Sequence, residues 1–70
     1  MRVYPNLIET MRTQKVSVSN LAESLGMSRS TLSRRLNGWS DFLLTEAVKI
    51  SQVLGVDNLA WLFLRLENKI

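Results

Sequence analysis

The sequence of 70 residues contains no cysteine and no histidine. Without cysteine no disulfide can stabilise the fold, as is usual for proteins of a reducing cytoplasm. Zinc and copper sites are built mainly from these two side chains, and so are the commonest acid–base and nucleophilic mechanisms. The carboxylates show no catalytic pairing, and there is no glycine-rich loop to cradle a phosphate. The sequence therefore predicts a protein that is not an enzyme, with no metal site, no cofactor and no small-molecule substrate.

Long apolar runs are also missing. The N-terminal stretch MRVYPNLIET holds no apolar run of signal-peptide length. No other segment approaches the length of about 20 apolar residues that a membrane span requires. We therefore expect a soluble, cytoplasmic protein with no membrane contact. A chain this short buries only about 60% of the surface that its unfolded form exposes, so we expect one small domain over residues 1–70.

Proline is scarce, and no segment alternates polar and apolar residues as a half-buried strand does. Pro5 is the one proline, and each of the three glycines follows a stretch with apolar residues at helical spacing. This pattern predicts an all-α fold of five short helices. We expect these helices to span Pro5 to about Lys15, Ser17 to Gly26, Ser28 to Gly38, Leu44 or Thr45 to Leu54, and Asp57 or Asn58 towards the C-terminus.

Acidic residues are absent from the middle of the chain. Nine lysines and arginines against six acids give a net charge of +3, which alone is weak support for a nucleic-acid partner. The distribution is more informative, because Arg29, Arg34 and Arg35 lie in the acid-free segment between Ser24 and Ser40. A local basic patch in a mildly basic chain is typical of nucleic-acid binding.

The second and third helices form a compact pair over residues 17–38. Gly26 ends one helix and Ser28 begins the next, so the link is short and one flank of the third helix is left prominent. At about 100° per residue, Leu32 and Leu36 share the face that must point to the core. The outward side collects Arg29, Ser30, Ser33, Arg34 and Asn37, with Arg35 on the other shoulder. A solvated polar face is the alternative, but such faces usually mix both charge signs and this one is only positive.

The segment VSVSNLAESLGMSRSTLSRRLNG, residues 16–38, resembles the helix-turn-helix of the phage lambda repressor and Cro-like (XRE-type) family. Ala47-Val48-Lys49-Ile50 and Val53-Leu54-Gly55-Val56 are similar to that family's fourth helix and the turn after it. The likeness extends from about Asn6 to Leu62. It implies a five-helix lambda-repressor-like domain, with the helix-turn-helix at helices two and three, that binds a specific double-stranded DNA operator and regulates transcription.

The resemblance also implies where DNA contacts lie. Arginine pairs with guanine in the major groove and serine bonds to several bases, so base edges are expected to be read by Arg29, Ser30, Ser33 and Arg34. Contacts with the sugar–phosphate backbone are expected from Ser17, Ser28, Thr31, Arg35, Asn37 and Trp39. For Trp39, packing against the domain is the favoured interpretation, and the backbone contact through its ring N–H is the other. One departure is Val18, where the family often has a glutamine that reaches a phosphate.

The predicted fifth helix is unusually apolar. Leu59, Leu62, Phe63 and Leu66 fall on one face, which we interpret as core. Trp61 and Leu64 point the other way, and an adjacent exposed pair of this kind is typical of a contact surface. The last helix often pairs across a two-fold axis in the resembled family. We therefore expect a homodimer on a palindromic operator, with residues 58–70 as the candidate dimerisation helix.

A Cro-like repressor of a phage or prophage is the favoured interpretation. Two alternatives remain open: a protein that binds and modulates a partner repressor, and an antitoxin that blocks a toxin. Val18 together with the Trp61 and Leu64 pair motivates the first. The basic, acid-free face of the third helix favours DNA over both, because neither alternative needs it.

Overall fold

A computed structural model describes residues 3–66 and places five helices in them. They are α1 (Pro5–Thr13), α2 (Val18–Leu25), α3 (Arg29–Leu36), α4 (Leu44–Leu54) and α5 (Leu59–Leu62). No strand occurs within this part of the chain. The prediction of an all-α fold with five helices is confirmed. None of the helices in residues 3–66 is both long and apolar enough to cross a membrane.

Polar side chains begin most of the helices. The Oγ atoms of Ser17 and Ser28 accept hydrogen bonds from backbone N–H groups three residues on, each at 3.1 Å. The side-chain oxygen of Asn58 does the same for α5 at 2.9 Å. At the start of α4, the Glu46 carboxylate accepts the N–H of Leu43 at 2.9 Å. Each bond satisfies a helix-end donor that has no partner inside the helix.

The turn between α2 and α3 depends on Gly26. Its φ of +70° is in the left-handed region, and the N–H of Met27 donates to the carbonyl of Ala22 at 3.0 Å. This is the usual glycine-dependent helix end. A Cβ on Gly26 would meet nothing within 4 Å, so the glycine is needed for conformation and not for space. Residues 26–28 separate the two helices, and α3 packs directly against α2.

The core is formed by all five helices. Each contributes one fully buried side chain, and these are Leu7, Leu21, Leu32, Ile50 and Leu62. Burying an aliphatic side chain of this size stabilises the fold by about 1.5–3 kcal/mol. The short α2 packs against both α3 and α4, while α5 packs against α4 and α1. The helix that precedes α3 is thereby anchored on two sides.

A cluster of three aromatic rings joins the two ends of the described chain to the loop before α4. Tyr4, Phe42 and Phe63 meet edge to face, with ring centroids 5.3 to 6.1 Å apart. This is a favourable geometry for aromatic pairs. It brings the segment after α5 next to the segment that follows α3.

The predicted length of the fifth helix is wrong. It ends at Leu62, residues 63–66 are not helical, and residues 67–70 of the expected helix lie outside the described residues. The N–H of Leu66, which a continued helix would direct to Leu62, instead donates to the carbonyl of Val3 at 2.8 Å. Phe63 enters the aromatic cluster, and Leu66 is exposed where we expected core.

Candidate nucleic-acid interface

The outward face of α3 has the composition that the sequence predicted. Leu32 and Leu36 are buried. On the opposite, solvent-facing side of the helix, the exposed residues are Arg29, Ser30, Arg34 and Asn37. Ser33 is half-buried beside them and accepts a long hydrogen bond from the Asn37 side chain at 3.5 Å. No ion pair within residues 3–66 engages either of the two exposed arginines. Their charged ends can therefore reach an anionic partner without breaking a salt bridge in this part of the fold.

Two exposed serines begin the helices of the motif. Ser17 lies before α2 and Ser28 before α3. Thr31 is half-buried, and its hydroxyl accepts a hydrogen bond from the Ser28 Oγ at 2.8 Å. A helix N-terminus bears a partial positive charge and free N–H groups, both of which suit a phosphate. The hydrogen bond to Thr31 orients the Ser28 hydroxyl at this helix N-terminus.

Arg35 is not on the surface where the sequence predicted it. Its Nη1 pairs with the Glu46 carboxylate at 3.0 Å and donates to the main-chain carbonyl of Asp41 at 2.7 Å. The exposed fractions of the two paired side chains are only 18% and 14%. Because Arg35 follows Arg34 by one helical step, its side chain turns towards the first turn of α4. The arginine fastens α3 to α4 and is unavailable as a free phosphate contact.

Trp39 lies in the α3–α4 loop, which we define as residues 37–43. Its side chain is 78% exposed, so the favoured interpretation from the sequence, packing against the domain, is wrong. Its backbone N–H donates to the carbonyl of Arg34 at 2.9 Å, which fastens the residue to the last turn of α3. An exposed indole on an ordered backbone offers a ring N–H donor close to the outward face of α3.

Val18 takes a different part from the glutamine of the resembled family. Its side chain is half-buried and packs against the hydrophobic core. It therefore contributes to the fold of α2, and it has no polar atom that could brace Arg29. Arg29 remains exposed at the start of α3.

One charged residue near the interface was missed by the sequence reasoning. Arg65 bonds to the Asp41 carboxylate at 3.0 Å and to the Gly38 carbonyl at 3.4 Å, and both acceptors lie in the α3–α4 loop. One signal was present, since Arg65 is the only charged residue between Asp57 and Glu67. A lone arginine in an apolar segment must find acceptors or reach water.

Apolar side chains are exposed at the C-terminal end of the described chain. Trp61 is 47% exposed, and Leu64 and Leu66 are exposed as well. Leu64 reaches the surface from a segment outside the helix, because α5 ends at Leu62. Beyond this region, Leu43 and Leu44 at the start of α4 are also exposed, which the sequence reasoning did not anticipate.

Comparison with known proteins identifies the motif. A sequence model of the helix-turn-helix family matches residues 8–57, which covers most of α1, all of α2 to α4 and the turn after α4. Among curated proteins no sequence matches the chain.

Proposed function

The chain belongs to the XRE-type helix-turn-helix family of DNA-binding transcription regulators, the lambda repressor and Cro-like proteins, and we propose that it binds a specific operator by placing α3 in the major groove. Arg29, Ser30, Ser33 and Arg34 would read base edges. The observation that carries the proposal is the exposed face of α3, which is positive, free of acids and attached by a short turn to α2.

Arg34 has the central part in this proposal. It is exposed on the side of α3 opposite the buried Leu32 and Leu36, so it projects farthest from the core. An arginine in that position can donate two parallel hydrogen bonds to guanine. Arg29 and Ser30, one turn earlier, would meet the neighbouring base pairs.

Phosphate and sugar contacts would surround this face. We assign them to Ser17, Ser28, Asn37 and Trp39, which are exposed, with Thr31 holding the hydroxyl of Ser28. Arg35 is left out because its guanidinium is bound to Glu46 and Asp41. Backbone contacts fix the register of the helix in the groove and contribute affinity that falls as salt rises.

We further propose that two copies bind a palindromic operator. Trp61 and Leu64 are exposed and apolar, and they are the candidate contact between protomers. A regulator of this type would act as a Cro-like repressor of a phage or prophage in the cytoplasm, where the DNA lies. Occupying a promoter is then sufficient for repression.

A second candidate function rests on the same exposed apolar residues. Trp61, Leu64 and Leu66 would suit a protein partner, as in a modulator of another repressor. An antitoxin would use its surface in a similar way. Neither function gives a reason for the acid-free basic face of α3, so DNA binding by this chain is the better-supported proposal.

A salt titration of DNA binding tests the proposal. Fluorescence anisotropy with a pool of labelled random duplexes would give the affinity at several salt concentrations. If each protomer neutralises about four phosphates, the logarithm of the binding constant of a dimer should fall with the logarithm of the salt concentration with a slope of about −7. A variant with both Arg29→Ala and Arg34→Ala should bind much more weakly.

Arg12→Ala with Lys49→Ala serves as the control, because it removes the same number of positive charges from exposed residues of α1 and α4 and leaves the face of α3 unchanged. Absence of binding to any duplex at low salt would overturn the proposal and favour the modulator of a partner repressor. Equal loss in the control and the α3 variant would also contradict the assignment of α3 as the reading helix.

A further inference from the structure

The C-terminal segment of the described chain reaches back to the end of α3 through Arg65. One guanidinium nitrogen donates to the Asp41 carboxylate at 3.0 Å and to the Tyr4 hydroxyl at 3.3 Å. The other donates to the Gly38 carbonyl at 3.4 Å. The guanidinium also lies over the Tyr4 ring, 5.7 Å from its centroid. The Arg65 side chain thus joins residues 63–66 to the N-terminal segment and to the α3–α4 loop.

Gly38 shows how closely Arg65 fits the end of α3. The φ of Gly38 is +82°, and a Cβ on it would lie 3.2 Å from the Arg65 Nη2 and 3.0 Å from a methyl group of Val3. A side chain at position 38 would therefore crowd Val3 and Arg65 as well as strain a left-handed backbone. A cation at this end also suits the partial negative charge of a helix C-terminus.

Asp41 is held from two directions. Arg35 of α3 donates to its main-chain carbonyl at 2.7 Å, and Arg65 pairs with its carboxylate at 3.0 Å. Between the two anchored residues Gly38 and Asp41 stands the exposed Trp39. The loop therefore has a defined course although it contains no helix or strand, and its position depends on a residue 24 positions farther along the chain.

We propose that Arg65 is a positioning residue for the DNA-reading surface. It holds the α3–α4 loop, and with it the last turn of α3 and Trp39, in the arrangement that meets the operator. It does this from outside residues 8–57, the part of the chain that the family model matches. The inference rests on the proposed function, because positioning has meaning here only if α3 and its loop meet DNA.

The competing explanation is that Arg65 itself contacts a DNA phosphate. Variants that change the charge in opposite directions distinguish this explanation from positioning of the loop. Arg65→Gln removes one positive charge, whereas Asp41→Asn removes one negative charge from the same pair. If charge near DNA were all that mattered, the first variant would bind more weakly and the second more tightly. If Arg65 positions the loop, both variants lose discrimination between the operator and its single-base variants.

The first measurement needs no DNA. Amide hydrogen exchange by NMR reports the Trp39 N–H, which is bonded to the Arg34 carbonyl in the intact loop. We expect exchange at Trp39 to be at least about tenfold faster in Arg65→Gln than in the parent, while the amides of α2 change little. Unchanged exchange would overturn the proposal whether or not the protein binds DNA. Absence of DNA binding by the parent would instead overturn the proposed function.

The second measurement compares affinities for an operator selected from random duplexes with the parent protein and for single-base variants of that operator. The affinity of Arg65→Gln for the operator should fall about tenfold, which is the scale of one base contact. Its affinity for the single-base variants of the operator should fall less. Asp41→Asn should lose less affinity for the operator than Arg65→Gln, because the Asp41 side chain is 88% exposed and solvent weakens its ion pair with Arg65. As this exposed substitution leaves the core intact, it keeps the test valid if Arg65→Gln unfolds.

Arg12→Gln is the matched control, since it removes the same charge from an exposed pair with Glu9 on α1. It should leave discrimination and Trp39 exchange unchanged. The proposal is overturned if Arg65→Gln lowers the salt slope by about one with discrimination intact, which is the result for a lost phosphate contact. Tighter binding by Asp41→Asn would overturn it as well.

Discussion

Neighbouring arginines on α3 have different environments, and the difference separates recognition from stability. Arg34 is exposed, whereas Arg35 is mostly buried against Glu46. The sequence alone places Arg34 on the outward side of the helix and Arg35 on its shoulder, because periodicity gives direction around an axis but does not show which neighbouring element lies there. The acceptor for Arg35 comes from α4, which only the tertiary structure brings close.

We predict that Arg34→Ala reduces affinity for the preferred site by about 1–3 kcal/mol and relaxes the preference at one base pair. The reason is the loss of one bidentate contact in the groove. Affinities measured across a panel of single-base site variants test this. Arg12→Ala, which removes the same charge from α1, should leave the preference unchanged. An even loss of affinity across the panel would assign Arg34 to the phosphates instead.

Arg35→Met is expected to act on stability. It leaves the Glu46 carboxylate, which is only 14% exposed, without its cation. Removing one partner of such a pair costs about 3 kcal/mol of the free energy of unfolding. Arg12→Met, in the exposed pair with Glu9, should cost less than about 1 kcal/mol. Denaturant unfolding of both variants checks this, and a fully stable Arg35→Met would contradict the structural assignment.

At the scale of elements, helix starts were easier to predict than helix ends. Ser17 and Ser28 were recognised as helix starts, and Asn58 was one of two candidates beside Asp57, because a cap is a local interaction between a side chain and the next turn. The end of α5 was missed, because it depends on the distant carbonyl of Val3 accepting the N–H of Leu66. Local patterns carry no information about such a contact, and an apolar run continues to suggest a helix.

The end of α1 offers a test of backbone conformation. Lys15 has a φ of +58°, and the N–H of Val16 donates to the Met11 carbonyl at 2.8 Å, a helix end that favours glycine. We predict that Lys15→Gly raises the free energy of unfolding by about 0.5–1 kcal/mol, because it relieves the left-handed strain but loosens the unfolded chain. Lys15→Ala removes the same charge and keeps the Cβ. Equal stability of the two variants in denaturant unfolding would contradict this explanation.

At the scale of the whole molecule, assembly depends on surfaces that the fold leaves uncovered. The sequence reasoning took Trp61 and Leu64 as the apolar residues left over, but Leu43 and Leu44 are exposed too. Exposure of this second pair could not be foreseen, since residues at the start of a helix face the core or the solvent according to how the helix packs. The C-terminal residues remain the candidate dimer contact.

Trp61→Ala is predicted to lower the dimer fraction and the affinity for a full palindrome while helix content and half-site binding stay nearly unchanged. The side chain is 47% exposed, so its loss should be tolerated by the fold. Light scattering at matched concentrations measures the dimer fraction. Trp39→Ala is the control: it removes an exposed tryptophan from the α3–α4 loop and should weaken DNA binding without changing assembly. An unfolded Trp61→Ala, or a monomeric parent on DNA, would contradict the dimer proposal.

The central claim is that α3 reads a specific duplex sequence, and selection of binding sites from random duplexes tests it most directly. The account predicts enrichment of one palindromic site whose half-sites lie about 34 Å apart, one turn of DNA, so that two copies of α3 enter successive major grooves. The same selection with Arg34→Ala should lose information at one position in each half-site. Failure of the parent protein to enrich any sequence at low salt would contradict the account.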